Sequence, residues 1–228
     1  MGHGGQGTVW RAKNGKGCEF AIKICLQEKE RVRVEVRNLK ALKHPNVVKF
    51  EAFVELSATL VMEFIDGKNL KARLQERLQE RADQGLEEEE AMWVMRGLLR
   101  GLSALHEKQV IHRDIKPDNI MLRAEGDGCD RVVIVDLGTS KQQLSTKTLT
   151  QAWTFLGTVA YASPEQTVGG APELGMDVWA AGIVLFEMLE GRRPFASDKN
   201  QDLQLMEKIR TAVAPPMQAR PPTHDFFW

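Results

Sequence analysis

Val110-Ile111-His112-Arg113-Asp114-Ile115-Lys116-Pro117-Asp118-Asn119-Ile120-Met121-Leu122 decides how this chain of 228 residues is read. It sets a His, an Arg, two Asp, a Lys and an Asn between apolar ends, and Pro117 forbids a continuous helix through it. A loop so polar and so firmly anchored is a platform for presenting side chains. Around it the composition is ordinary: 43% hydrophobic and 27% charged, which suits one large domain or two lobes sharing a cleft. Lys plus Arg (31) balance Asp plus Glu (31), so no net field draws the protein to nucleic acid or to a membrane surface. The three cysteines, Cys18, Cys25 and Cys129, are scattered and odd in number, as expected of reduced thiols. No apolar run approaches the ~20 residues of a membrane span, and the start does not read as a signal peptide. The expectation is a soluble cytoplasmic protein with access to the nucleus.

Near the start, Gly2, Gly4 and Gly7, followed by Val9, fit G-x-G-x-x-G-x-V. Glycines let a backbone approach phosphate oxygens and take up positive φ without a Cβ clash. By itself the pattern also fits a dinucleotide-binding turn or a flexible tail. A dinucleotide-binding turn opens a helix. Here Thr8 to Ala12 has strand composition, Asn14-Gly15-Lys16-Gly17 makes a turn, and Glu19 to Ile24 reads as a second strand. With no helix after the glycines, a dinucleotide oxidoreductase is set aside.

A glycine loop inside a hairpin, Ala21-Ile22-Lys23 on the next strand, His112-Arg113-Asp114-Ile115-Lys116-Pro117-Asp118-Asn119 and then Asp136-Leu137-Gly138 together resemble the protein kinase family. The resemblance extends almost to Phe195. It implies an α+β, bilobal protein-kinase-like fold: a small β-rich N-lobe over residues 1–62, a hinge at 63–67 and a larger α-helical C-lobe over 68–228. It also implies transfer of the γ-phosphate of ATP, with Mg²⁺, to Ser or Thr hydroxyls of protein substrates, in intracellular signalling.

The family pattern carries over residue by residue. Gly2, Gly4, Gly7, Val9, Ala21 and Lys23 would surround the nucleotide, with Met62 as gatekeeper and Met121 beneath the adenine. The backbones of Glu63 and Ile65 would meet the adenine edge. Lys23 would contact the α- and β-phosphates, held by Glu35 on a helix predicted from Glu28 to Leu42; Val32, Val36 and Leu39 share one face of it. Glu28 and Glu30 stay open as alternative partners. Asp114 would accept or orient the substrate proton, Lys116 would stabilise γ-phosphate charge, and Asn119 and Asp136 would hold the metal. Lys116 follows the serine/threonine pattern. His112 reads as a packed structural residue, and Asp177 as an anchor for the loop backbone. Arg113 implies an activation segment ordered by phosphate, with Thr154, then Thr150, as the phosphosites, modified by an upstream kinase or in trans by a second copy.

Elsewhere, strands are predicted over Val47–Phe53 and Thr59–Phe64, and a helix from Asn69 to Gln84 with Leu70, Leu74 and Leu78 inward. A second helix runs to about Lys108, its first turn loaded by Glu87 to Glu90 as a solvated start rather than a metal site. Met92, Met95, Leu98, Leu99, Leu102 and Leu105 are its expected core face. The loop Ile115-Lys116-Pro117-x-Asn119-Ile120-Met121, the paired Thr150 and Thr154, and Gly191 to Phe195 followed by Met206-Glu207-Lys208-Ile209 look like the IκB-kinase-related, TANK-binding-kinase group. Two departures from the family are expected: an N-lobe truncated at its first strand, leaving a sheet edge open, and a C-lobe truncated at its end, leaving Glu165 buried without its Arg unless Arg220 substitutes. A weakly active or inactive kinase-fold binding or scaffold module is therefore the rival reading.

Overall fold

The computed structural model describes residues 2–4, 7–25, 29–81, 85–123, 131–137, 141–142, 159–197 and 201–217. Its first unit is a five-stranded antiparallel sheet in the order β1 (Gly2–Gly4), β2 (Gly7–Lys13), β3 (Glu19–Cys25), β5 (Thr59–Glu63), β4 (Phe50–Val54). The β2–β3 turn closes because Asn14 Oδ1 accepts from the N–H groups of Lys16 (2.9 Å) and Cys18 (3.0 Å) while Gly17 takes φ 80°. β1 pairs with β2 from Gly2 opposite Val9 to Gly4 opposite Gly7, so the edge predicted to lie open is covered along that stretch. The three residues needed are nearly all glycine and can be paired through backbone alone.

α1 (Lys29–Ala41) packs on the sheet through buried Val32, Val36 and Leu39, with Glu35 on the same buried face. The strand predicted to begin at Val47 starts at Phe50 instead. Val47 forms an isolated parallel bridge to Ile134, and Val48 N donates to Ile134 O at 2.9 Å, so this segment is committed to the lower unit.

Beyond Glu63 the chain passes through 64–66 into β6 (Gly67–Asn69), which pairs with β8 (Ile120–Arg123) beside β9 (Arg131–Ile134). Asn69 is not helical: its side chain caps α2 (Leu70–Glu80) by accepting from Ala72 N at 2.9 Å. Leu78 is 39% exposed, whereas Leu70 and Leu74 are buried. α3 (Glu88–Glu107) starts in the predicted acid run, yet Met92 (41%) and Leu99 (47%) are exposed. The buried stripe runs through Ala91, Val94, Met95, Leu98, Leu102 and Leu105, and residues 92 and 99 lie about 100° around the helix from 91 and 98. Gly97 and Gly101 belong to that stripe. A Cβ on Gly101 would stand 2.7 Å from both Asn46 O and Ile134 Cδ1, so this close approach of helix to strand requires glycine.

α3 hands the chain to β7 (Val110–Ile111), which pairs with β10 (Lys141–Gln142). α4 (Pro164–Thr167) has a capping box from Ser163 and Gln166. α5 (Gly175–Glu190) packs on α3 and ends at Gly191 in a left-handed cap, φ 67°. α6 (Asp202–Thr211) is short, as the prolines after it suggest, and buries Leu205, Met206 and Ile209 against Val159, Ala160 and Phe195. Among the described residues no helix is long and apolar enough to cross a membrane. The sheet unit and the helical unit meet where Lys23 of β3 reaches Asp136 and where Val48 N donates to Ile134 O.

Candidate active site

Strand alternation aims Lys23 inward: Ile24 is 42% exposed, while Lys23 and Cys25 are buried on either side of it. The ammonium of Lys23 lies 3.0 Å from Glu35 Oε1 and 2.6 Å from Asp136 Oδ1. The spacing of twelve residues thus supplies a carboxylate from α1, Glu35; Glu28 and the side chain of Glu30 lie outside the described residues. Burial alone would lower the pKa of Lys23, but the two carboxylates, Asp136 first, outweigh it and hold the group above the ordinary lysine range. One cation serves two acids, and the shorter bond goes to Asp136. Glu35 is accordingly pushed above the usual carboxylate range, by burial first and by the charge of Asp136 as well, against the pull of Lys23.

Asp136 follows β9 by two residues and adopts φ 65°, while Leu137 behind it is 1% exposed, the apolar plug expected there. The loop is held from two directions. Asp177, wholly buried on the first turn of α5, accepts from His112 N (2.9 Å, Oδ2), from Arg113 N (2.8 Å, Oδ1) and bonds His106 Nε2 (2.8 Å). His112, also fully buried, accepts from Asp114 N at Nδ1 (3.3 Å), which leaves Nε2 to donate to Val135 O (3.2 Å). The imidazole therefore ties the loop to the residue before Asp136, and has a structural place.

Asp114 is almost buried. Its Oδ2 accepts from Lys116 Nζ (2.7 Å) and Asn119 Nδ2 (3.1 Å), and Asn119 Nδ2 also donates to Asp114 O (2.8 Å). Among the described residues Oδ1 of Asp114 makes no hydrogen bond, so an acceptor is presented next to a fixed lysine. Asn119 spends its amide nitrogen on Asp114, which leaves its Oδ1 as an oxygen donor. No three or more His, Cys, Asp or Glu of the described residues cluster tightly enough to hold a metal alone. Asn119 and Asp136 fit Mg²⁺ as hard oxygen ligands whose remaining coordination would come from phosphate and water.

Strand register sets Val9 opposite Lys23 and Ala21 opposite Met62. Met62 and Ile65 are buried. Glu63 N donates to Lys49 O at 3.0 Å, so its amide is engaged at the end of β5. Met121 lies on β8 between Asn69 and Val133. Gly2, Gly4 and Gly7 form the β1–β2 hairpin arms. Thr150, Thr154, Thr158, Gly138, Cys129 and Arg220 lie outside the described residues.

Glu165 differs from expectation. It is only partly buried and makes no ion pair among the described residues, so water screens a charge that a buried site would leave uncompensated. Two pairs escaped the sequence reading. His106 escaped because a helix-terminal histidine carries no pattern. Tyr161 Oη donates to Glu187 Oε2 at 2.6 Å, and burial, followed by the facing carboxylate, pushes the phenol up. A lone acid inside the apolar run of α5 was the available signal for Glu187.

Comparison with known proteins agrees with this geometry. Residues 1–225 match the protein kinase domain model. The chain is 34% identical over 215 residues to the serine/threonine-protein kinase drp72 of Corynebacterium efficiens, covering 88% of this chain and 39% of that protein. It is 34% identical over 215 residues to serine/threonine-protein kinase PrkC of Bacillus subtilis, covering 90% and 32%. To the inhibitor of nuclear factor kappa-B kinase subunit alpha of Xenopus tropicalis it is 34% identical over 223 residues, covering 92% and 29%. The chain thus spans about a third of the length of these curated relatives. A lysine shared by two carboxylates, a loop hung from a buried aspartate and a family match along nearly the whole sequence have one explanation: this chain belongs to the protein kinase domain family.

Proposed function

We propose that the protein is a serine/threonine kinase that transfers the γ-phosphate of ATP to protein hydroxyls. The observation that carries this reading is the shared Lys23: its ammonium reaches Glu35 on α1 and Asp136 after β9, the latter 113 positions away from Lys23 in sequence. In the proposed roles Lys23 holds the α- and β-phosphates and Glu35 fixes its position. Asp114 receives the hydroxyl proton at its unengaged oxygen, and Lys116, already anchored on the other oxygen, offers charge to the transferring phosphoryl group. Asn119 and Asp136 would hold Mg²⁺, whose contribution when bound is to neutralise phosphate charge. Gly2, Gly4 and Gly7 allow backbone to approach the phosphates. Val9, Ala21, Met62 and Met121 form the apolar adenine slot, with the Glu63 and Ile65 backbones along its edge.

Purified protein given γ-labelled ATP, Mg²⁺ and casein is expected to label serine and threonine. Label confined to tyrosine removes the serine/threonine assignment. Label no greater than that of an Asp136→Ala control removes the enzyme and leaves the kinase-fold scaffold module.

Regulation by phosphate at Thr154, with Thr150 second, is supported by Arg113. Its guanidinium makes no side-chain hydrogen bond among the described residues, its Nε is buried without a partner, and burial, against the pull of Asp177, lowers its pKa. A dianion nearby would satisfy a group now costly to keep charged. Thr154→Ala is expected to lower turnover several-fold, measured on protein first incubated with ATP; unchanged turnover excludes Thr154. Placement within the IκB-kinase-related group rests on Thr150, Thr154 and the Gly191 to Phe195 turn. Overall identity to an IκB kinase subunit equals that to the bacterial kinases and adds no weight to it. A protein substrate, an upstream kinase or trans-acting copy, and a cytoplasmic setting complete the proposal.

A further inference from the structure

A groove of about 430 Å³ lies between the end of α1 and the beginning of β4, and shares only Glu63 with the proposed nucleotide site. Its volume falls within the range of small-ligand pockets. The apolar part is formed by Leu39, Leu42, Pro45, Val47 and Phe50. Four cations line it, Lys40, Lys43, Lys49 and Arg131, against the one carboxylate of Glu63. That carboxylate is already engaged: it accepts from Lys49 N (2.9 Å), and Arg131 (3.5 Å) and Arg123 (3.7 Å) face its other oxygen. Lys49 pairs with Glu51 at 2.7 Å. Lys40 and Lys43 have no carboxylate partner among the described residues, and the ammonium of Lys40 stands 5.2 Å over the Phe50 ring, at the wall of the groove. His44 turns Nδ1 to its own loop, accepting from Asn46 N at 3.2 Å, and adds no opposing charge.

We infer that this groove is a second ligand site, built for a small amphipathic organic anion whose aromatic or aliphatic body lies on Phe50 and Val47 while its acid group meets Lys40 and Lys43. Lys40 and Lys43 are exposed at the rim, where their ammoniums are free to meet an acid group, and the apolar wall suits an organic body; one molecule with both parts uses both. The groove is wired to the cleft. Phe50 pairs with Met62, Glu63 N donates to Lys49 O, Val48 N donates to Ile134 O (2.9 Å) and Ile134 N donates to Asn46 O (2.9 Å). Its lining therefore touches the end of β5 at Glu63, and its segment 47–48 is bonded to the end of β9, two residues before Asp136. A ligand that shifts these strands alters nucleotide affinity, and nucleotide must alter its affinity by the same factor.

The probe is 8-anilinonaphthalene-1-sulfonate, an aromatic anion, titrated by fluorescence into the full chain. One saturable site is expected, retained in the presence of saturating Mg-ATP. Lys40→Glu with Lys43→Glu should weaken binding about tenfold or more, since both charges are reversed within a few ångströms of the sulfonate. The uncharged N-phenyl-1-naphthylamine should bind wild type about tenfold more weakly, a comparison that needs no variant. Strict competition, in which dye affinity keeps falling in proportion to Mg-ATP instead of levelling off as coupling between two sites requires, places the dye in the nucleotide site and overturns the proposal. So does equal affinity for the neutral dye, an unchanged double variant, or no saturable signal up to millimolar dye. None of these readings depends on phosphoryl transfer, so the site stands or falls apart from the kinase activity.

Discussion

Asp136→Ala protein should incorporate phosphate from ATP about a thousandfold more slowly than wild type, or worse, while melting within a few degrees of it. The rate falls because a hard oxygen ligand and the 2.6 Å partner of Lys23 disappear together, and charge placed on the transferring phosphoryl group supplies most of the catalysis in this reaction class. The fold survives because Lys23 keeps Glu35 at 3.0 Å, and Glu35 loses the like charge that contributed to raising it. Radiolabel incorporation and a thermal melt on the same preparation check both halves; incorporation within tenfold of wild type defeats the proposed role. The pH dependence has a definite sign. Lys23 is raised in the folded chain, so its contribution to stability is complete below the ordinary lysine pKa and disappears as pH rises through the folded value. Without Asp136 the folded value drops toward the ordinary lysine range, so the part of the alkaline stability loss that Lys23 contributes should be smaller than in wild type.

The second large effect is expected at Asp177, which touches no substrate. Its carboxylate collects two backbone N–H groups of the loop and His106, all within 2.9 Å, at a position with no solvent exposure. In Asp177→Ala the His112 and Arg113 amides become buried donors without acceptors, at about 1–3 kcal/mol each. A loss of roughly 3 kcal/mol or more should lower the melting temperature by about 6–12 °C. Catalysis should fall further than stability explains, because Arg113 at φ 70° depends on that anchor for its conformation. Asp177→Asn keeps one acceptor oxygen and should lie between the two. Equal melting temperatures for Asp177→Ala and wild type would remove the anchor role.

The strands and helices that the sequence announced were those whose periodicity matched their burial. α1 is the clear case: Val32, Val36 and Leu39 marked the inward face, and Glu35 lies on it. Periodicity was less informative on α3, where leucines and methionines occur all around and only packing against β9 shows that Gly97 and Gly101 are inside while Met92 and Leu99 are outside. Val47 and Val48 have strand composition, yet Ile134 claims their backbone. No local signal reports a partner 87 residues away.

What the sequence alone determined was the inventory of chemical groups in and around Val110 to Leu122, because a lysine, two acids and an asparagine at fixed spacing can be read without knowing where they point. Tertiary structure decided which groups share a charge. The sequence offered Lys23 several glutamates, and the packing of α1 brings Glu35 to it; Asp136 could not have been assigned to the same ammonium by any sequence interval. Tertiary structure likewise placed His106 and His112 N on one buried carboxylate, and opened a cationic groove behind the hinge. The physical reason is that side-chain chemistry is local, whereas desolvation and Coulomb interaction depend on distances that only the folded chain sets.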